Sequence, residues 1–406
     1  MSEWKEERLG PLVKLSQGQV INSKTNYLVV AEGLPLLRIT DMLNKTKSVF
    51  IDKNRVPKKN IAIPEDIIFT RTGQVGLVFR NQYGVVHNNC FKVLPIDKKL
   101  ECDYLYWYLR SNAVYNYVNC IASGSAQPDL PHSSFNSITI KLPSNKVQNK
   151  IASILSAYDD LIENNIRRIA LLEQMAEQIY KEWFVRMRFP GYEKTEFEKG
   201  VPKGWKVKSI KDFGKVVTGK TPSTSNSGYF GGKFPFIKTP DMHGNIFVLQ
   251  TEETLTEDGF NSQKSQALPA NSICVSCIGT GGVVSITPSV CMTNQQINSL
   301  VLENNSFLEF MFFSLKGLKP MIELFGATGA TMTNLSKGKF ENLKLIKPTE
   351  LLIEEFSKKT KPVFLQIRNL MEQQIKLKQT RDLLLPRLIS GKLRVKEAEK
   401  EMKKTV

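Results

Sequence analysis

Cysteine is scarce in this 406-residue chain, and the six present are irregularly spaced, which excludes a disulfide framework and implies reduced thiols. Cys274-Val275-Ser276-Cys277 has CxxC spacing, but it sits in an apolar β-type run without a second pair, so a buried strand is expected there. The three histidines, His87, His132 and His243, are scattered and form no metal-ligand set. No apolar run approaches the roughly 18 residues of a membrane helix, and the charged opening MSEWKEERLG has no apolar core of a secretory signal. A cytoplasmic location is expected. There is no GxxxxGK[ST] phosphate loop and no Asn/Asp-Pro-Pro-Tyr/Phe segment for methyl transfer to an amino group. Pro128-Asp129 and Pro240-Asp241 lack the Glu-x-Lys that a nuclease site would place after them. No catalytic residues, no cofactor and no metal are therefore expected in this chain.

Acidic residues are the other shortfall. There are 39 against 56 Lys and Arg, a formal charge of +17, which favours a polyanionic partner through counterion release. Hydrophobic residues make up 41% of the chain, enough for real cores, and the length suits two or three domains.

What is present is present twice. Gly124-Ser125-Ala126-Gln127-Pro128-Asp129-Leu130, then Phe135, Ile138 and Pro143, is echoed by Gly329-Ala330-Thr331-Met332-Thr333-Asn334-Leu335, then Phe340, Leu343 and Pro348, at a constant offset of 205. IPEDIIFTRTGQVG from Ile63 answers LPANSICVSCIGTGG from Leu268, and VVHNNCFKVLP from Val85 answers VCMTNQQINSLVL from Val290. A period this long is a duplicated domain pair, since solenoid units run roughly 20 to 50 residues.

Each copy begins with short β-type runs punctuated by Gly, Pro and Asn and ends in helix formers. The expected class is α+β: two β-rich domains, residues 1–143 and 191–349, each followed by a helical region, 144–190 and 350–406. In the first helical block the apolar stripe is Val147, Ile151, Ile154, Tyr158, Ile162, Ile166, Ile169, Leu172, Met175, Ile179 and Trp183. Val363, Ile367, Leu370, Gln374, Leu377, Arg381, Leu384 and Leu388 form a coiled-coil seam with two polar positions in the second. Pro362 is expected to break that block near residue 361, and the repeat places a matching bend near Ala157. A helix of about 26 residues spans about 40 Å, close to a DNA turn of about 34–36 Å. Antiparallel packing of the two copies would make a pseudo-two-fold ruler; the alternative is that each helix packs on its own globe.

These residues resemble a known family. IASILSAYDDLIENNIRRIALLEQMAEQIYKEWF from Ile151 is similar to the central conserved region of type I restriction–modification specificity subunits. LKQTRDLLLPRLISGKL from Leu377 is similar to their C-terminal conserved region. WKVKSIKDFGKVVTGKTPSTSNSGYFGGKFPFIKTPDM from Trp205 looks like the opening of a target recognition domain, and Pro269, Gly279, Gly282, Asn294-Gln295 and Gly329 fit the rest. The first domain's opening, PLVKLSQGQVINSKTNYL, lacks the TGKTP-type loop. The resemblance implies two target recognition domains reading an interrupted, asymmetric double-stranded DNA site. It also implies two methyltransferase subunits docked on the helices, carrying S-adenosylmethionine and modifying adenine, and restriction subunits that use ATP and Mg to translocate and cut.

Reading bases needs short polar side chains and Arg or Lys on loops. The candidates in the first domain are Arg38, Lys45, Lys47, Arg55, Arg71, Thr72, Asn88, Asn89, Ser125 and Gln127. In the second they are Lys220, Thr221, Ser223, Thr224, Lys238, Thr239, Asn294, Gln295 and Thr331. Glycines beside them, Gly73, Gly124, Gly279 and Gly329, permit tight turns. Two rival readings are an enzyme with an unrecognised site, betrayed by activity of the isolated chain, and a scaffold that binds duplex DNA without sequence preference or not at all.

Overall fold

The computed structural model describes residues 4–124, 127–326 and 333–405. The chain divides into two compact units, residues 1–163 with 375–406 and residues 164–374.

The strands of the first unit are β1 (Lys5–Arg8), β2 (Val13–Gln17), β3 (Leu34–Leu37), β4 (Ile67–Thr70), β5 (Val78–Phe79), β6 (Gly84–Val86), β7 (Cys90–Pro95) and β8 (Thr139–Leu142). A short helix α1 (Ile39–Asn44) follows β3, and the long helix α2 (Asn145–Tyr180) follows β8. The main sheet is antiparallel in the order β2-β7-β4-β5. Ile-Ile-Phe-Thr of β4 is buried at every position, as an interior strand of β-branched and aromatic residues should be. Phe69 stacks on Phe91 at 5.5 Å and meets Phe135 edge-on at 4.9 Å. Beside this sheet β3 runs parallel to β6, pairing Leu37 with Val86. Ile151, Ile154, Leu155, Tyr158 and Ile162 of α2 complete the same core.

The second unit repeats this plan. Its strands are β9 (Lys206–Ser209), β10 (Gly214–Thr218), β11 (Phe230–Ile237), β12 (Ile273–Ser276), β13 (Val284–Ile286), β14 (Met292–Thr293), β15 (Ile297–Leu302) and β16 (Lys344–Lys347). Helix α3 (Thr239–Met242) follows β11, and the long helix α4 (Glu350–Ile389) follows β16. The sheet order β10-β15-β12-β13 matches the first unit strand for strand. The parallel pair recurs as β11 with β14, placing Ile237 beside Thr293. β12 carries the CxxC cysteine Cys274 as a fully buried strand, as its apolar run indicated.

Each unit takes in one end of each long helix. Leu377, Leu384, Leu385 and Leu388, late in α4, share the first unit's core with the opening stretch of α2. Leu352, Ile353, Phe356, Val363, Phe364 and Ile367, early in α4, share the second unit's core with Ile169, Leu172, Ala176 and Ile179, late in α2. The expected interruptions are absent, because α2 runs unbroken through Ala157 and α4 through Pro362. Pro362 and Lys358, whose carbonyl loses its helical donor, both lie on the exposed face, where water serves the carbonyl. Buried Phe356, Val363 and Phe364 hold the helix on either side. Ala157 keeps its N–H, so α2 has no reason to bend there.

Candidate DNA interface

In the second unit the sheet register assembles the candidates. β10 ends at Thr218, and Gly219 then passes so close to β14 that a Cβ there would lie 2.2 Å from the Asn294 carbonyl oxygen. That approach lets the Lys220 amide donate to the Thr293 carbonyl at 2.9 Å. The Thr221 hydroxyl donates to Gln295 Oε1 at 2.7 Å. From the other side, the parallel β11–β14 pairing continues as Asn294 N–H donating to the Ile237 carbonyl at 3.1 Å, so Lys238 and Thr239 arrive at the same edge.

These neighbours are not chemically equal. Lys220 and Gln295 are exposed, and Ser223 and Thr224 lie on the exposed loop beyond, where Ser223 Oγ is 2.7 Å from Ser225 Oγ. Asn294 is only 8% exposed, and its side chain folds back on Gln296, accepting from that amide at 3.2 Å and donating to Gln296 Oε1 at 3.1 Å. Lys238 caps α3, with its ammonium on Glu253 and its amide donating to Asp241 Oδ2 at 2.8 Å. Thr239 is buried, and its hydroxyl has no hydrogen-bond partner among the described residues. Thr331 lies outside the described residues, as does Gly329.

The first unit builds the same edge with other side chains. Gly18 takes the place of Gly219, a Cβ there lying 2.2 Å from the His87 carbonyl oxygen. Gln19 donates from its amide to Val86 at 2.7 Å and accepts from Asn88 at 3.0 Å. Arg38 follows β3 as Lys238 follows β11, and its Nε donates to Asp41 Oδ2 at 2.7 Å. Asp41 is buried. Burial raises its carboxyl, but hydrogen bonds from Arg38, Ser48 and Thr46 outweigh that and bring it to about 2. Lys45, left-handed at φ 55°, closes α1, and it and Lys47 are exposed. Arg55 leans on Asp52 at 3.2 Å.

Arg71, Thr72, Asn88 and Asn89 converge around Asp129, Gln17 and His132. Arg71 holds Asp129 with two bonds, Nη2 to Oδ2 at 2.7 Å and Nε to Oδ1 at 3.2 Å. The Asp129 carboxyl is lowered by that guanidinium foremost. His132 Nε2 is 2.8 Å from Gln17 Oε1, and its ring is lowered by burial first and then by Arg71. Gln127 is exposed, while Ser125 lies outside the described residues. Sequence reasoning missed Asp41, Asp129, Gln17, His132 and Glu253. Asp129 was within reach, because it stands in the repeated block where the second copy has Asn334.

Two copies of one scaffold, each gathering polar and cationic side chains at the same edge of its sheet, define a duplicated nucleic-acid recognition protein. The family described as type I restriction modification DNA specificity domain matches residues 1–174 and 202–350. The chain belongs to that family, and its function is the specificity subunit's, recognition of DNA sequence. It is 28% identical over 466 residues to the type I restriction enzyme HindI specificity subunit of Haemophilus influenzae, covering 97% of this chain and 100% of that one. It is likewise 28% identical over 342 residues to the type I restriction enzyme MjaIX specificity subunit of Methanocaldococcus jannaschii, covering 82% and 78%. The fold is shared with the S subunit of a type I restriction–modification system from M. genitalium, with a TM-score of 0.62 at 16% identity over 95% of this chain and 96% of that one. Specificity subunits are generally non-catalytic. Among the described residues no helix is long and apolar enough to cross a membrane.

Proposed function

We propose that each unit reads one half of an interrupted, asymmetric duplex site, and that partner subunits then methylate adenine there or cut the DNA. The carrying observation is one backbone register dressed with two sets of side chains. Lys220, Thr221 and Gln295 stand at an edge where the other unit has Gln19, His87 and Asn88. A single scaffold with divergent loops is what reading two different sequences requires.

The chain contributes no catalysis in this reading. Two methyltransferase subunits dock on the helical regions and carry S-adenosylmethionine, and restriction subunits supply ATP- and Mg-dependent cleavage in the cytoplasm. Leu171 of α2 and Leu365 and Leu383 of α4 support such docking, because each is more than half exposed on a long helix. The test is a genome-wide map of methylated adenine with and without the gene. A two-part motif that vanishes on deletion supports the reading, and an unchanged map refutes it.

A further inference from the structure

Arg71 stands between two loops of the first unit and is bonded to both. Its backbone amide donates to the Asn89 carbonyl at 2.8 Å, and the Thr72 amide reaches the same oxygen at 3.3 Å. That carbonyl belongs to the turn from His87 to Cys90, which is closed by Cys90 donating to His87 at 2.9 Å. On the other side, Arg71 holds Asp129 with the two bonds described above, and Thr72 Oγ1 donates to Asp129 Oδ1 at 2.5 Å. Asp129 pairs with Ser123 through reciprocal backbone bonds of 3.0 and 2.9 Å, and Gln127, two residues before Asp129, is exposed. The remaining guanidinium arm donates to Gln17 Oε1 at 3.3 Å.

A guanidinium committed in this way is a poor reader of DNA. To reach a guanine or a phosphate it would leave the Asp129 carboxylate uncompensated beside the negative backbone of the duplex. Paired, the two charges cancel, and a carboxylate is tolerated at a DNA-facing edge. The second unit closes its corresponding loop with the same backbone pairing, Ile278 with Asn334 as Thr72 with Asp129, and Leu335 donating to Cys277 at 2.9 Å as Leu130 donates to Arg71 at 2.9 Å. Cys277 and Asn334, however, stand where the first unit has its ion pair. There the Asn298 amide donates to the Leu335 carbonyl at 3.4 Å and accepts from Thr218 Oγ1 at 2.6 Å. Arg71 and Asp129 therefore belong to one half of the molecule only.

We propose that Arg71 and Asp129 are positioning residues for the first half-site: an ion pair that braces the Gln127–Asp129 segment against the His87–Cys90 turn and holds Gln127 and Asn88 for base contact. The inference rests on the half-site reading given above.

The test uses the full chain assembled with its methyltransferase subunits, in wild-type, Asp129→Asn, Arg71→Lys and Arg71→Ala forms. Each is read by methylation mapping and by binding to duplexes carrying the mapped motif with either half scrambled, across a salt series. Asp129→Asn and Arg71→Lys are expected to cut discrimination against first-half mismatches by about tenfold or more, with the second half still read as in wild type. Retained second-half recognition also reports that the variants fold. For Arg71→Ala the salt slope is expected to stay near the wild-type value. A slope lowered by about one phosphate in Arg71→Ala, or tighter binding by Asp129→Asn at unchanged specificity, would make Arg71 a direct DNA contact and overturn the proposal. So would an unchanged first half-site in both conservative variants. A wild-type complex that methylates no two-part motif defeats the half-site reading itself, an outcome distinct from these.

Discussion

Asp159 of α2 and Arg381 of α4, 222 positions apart in the sequence, form an ion pair within the first unit. Arg381 is one of the two polar positions that interrupt the apolar seam of α4, and Asp159 is the reason a charge can stand there. Asp159 also accepts from Arg110 at 2.6 Å, and that guanidinium lies 4.6 Å from the Trp107 ring. One carboxylate thus serves two half-buried cations.

The two partners of that pair differ in what their loss leaves behind. Among the described residues, Asp159→Ala leaves Arg381 hydrogen-bonded to Asp382 alone and Arg110 to the Tyr106 hydroxyl alone, whereas Arg381→Ala leaves Asp159 still bonded to Arg110. We expect Asp159→Ala to cost about 2 kcal/mol and Arg381→Ala about 1 kcal/mol. Urea denaturation measures both, and equal or reversed costs would show that Arg110 does not depend on Asp159.

Asp41 gives the first unit an acid-sensitive contact. Its folded-state value of about 2 lies below the ordinary 3.8 of the unfolded chain, so its contribution is complete above that ordinary value and is lost as pH falls toward 2. The difference corresponds to about 2 kcal/mol at neutral pH, with about half gone at pH 3. Asp41→Asn should remove this part of the pH dependence. Unfolding free energies of the two proteins at pH 7 and pH 3 decide it, and an equal gap at both would contradict the assignment.

The cysteines should sort by burial. Burial pushes the Cys90 and Cys274 thiols up to about 12 and Cys277 to about 11, and raises Cys291 well above its usual range. Cys120 is exposed and Cys102 half-buried. An aromatic disulfide reagent should label Cys120 rapidly and Cys102 slowly, leaving the other four until the chain is denatured. Rapid labelling of Cys274 or Cys277 in the native protein would revive a redox or metal role for the CxxC pair.

The repeat made most of the fold readable, because a 205-residue offset survives wherever glycine, proline and core positions are fixed by the backbone. Helix continuity was not readable. Pro362 breaks a helix only if its lost hydrogen bond falls in the interior, and the exposure of that face is a tertiary fact. The site was half readable. Lys220, Thr221, Gln295 and Lys238 share an edge because β11 runs parallel to β14, a pairing no local motif encodes. Arg71 and Arg38 look like free cations in sequence, yet carboxylates 58 and 3 residues away hold them.

Asn294 and Gln295 are neighbours in sequence with different roles in the second unit. Asn294 is buried and builds its own turn through Gln296, so Asn294→Ala should lower stability by about 1–2 kcal/mol and disturb the edge as a consequence. Gln295 is exposed and, among the described residues, its side chain is held by Thr221 alone, so Gln295→Ala should leave the melting temperature unchanged while relaxing the second half-site alone. Lys220 has no ion pair among the described residues, and Lys220→Ala should instead weaken binding to all duplexes and flatten the salt dependence by about one phosphate. Thermal melts combined with a salt-titrated binding series on mapped and scrambled duplexes separate the three. If Gln295→Ala lowered affinity for both half-sites equally, the turn would be a phosphate contact, and base reading by the second unit would have to come from the Ser223–Thr224 loop.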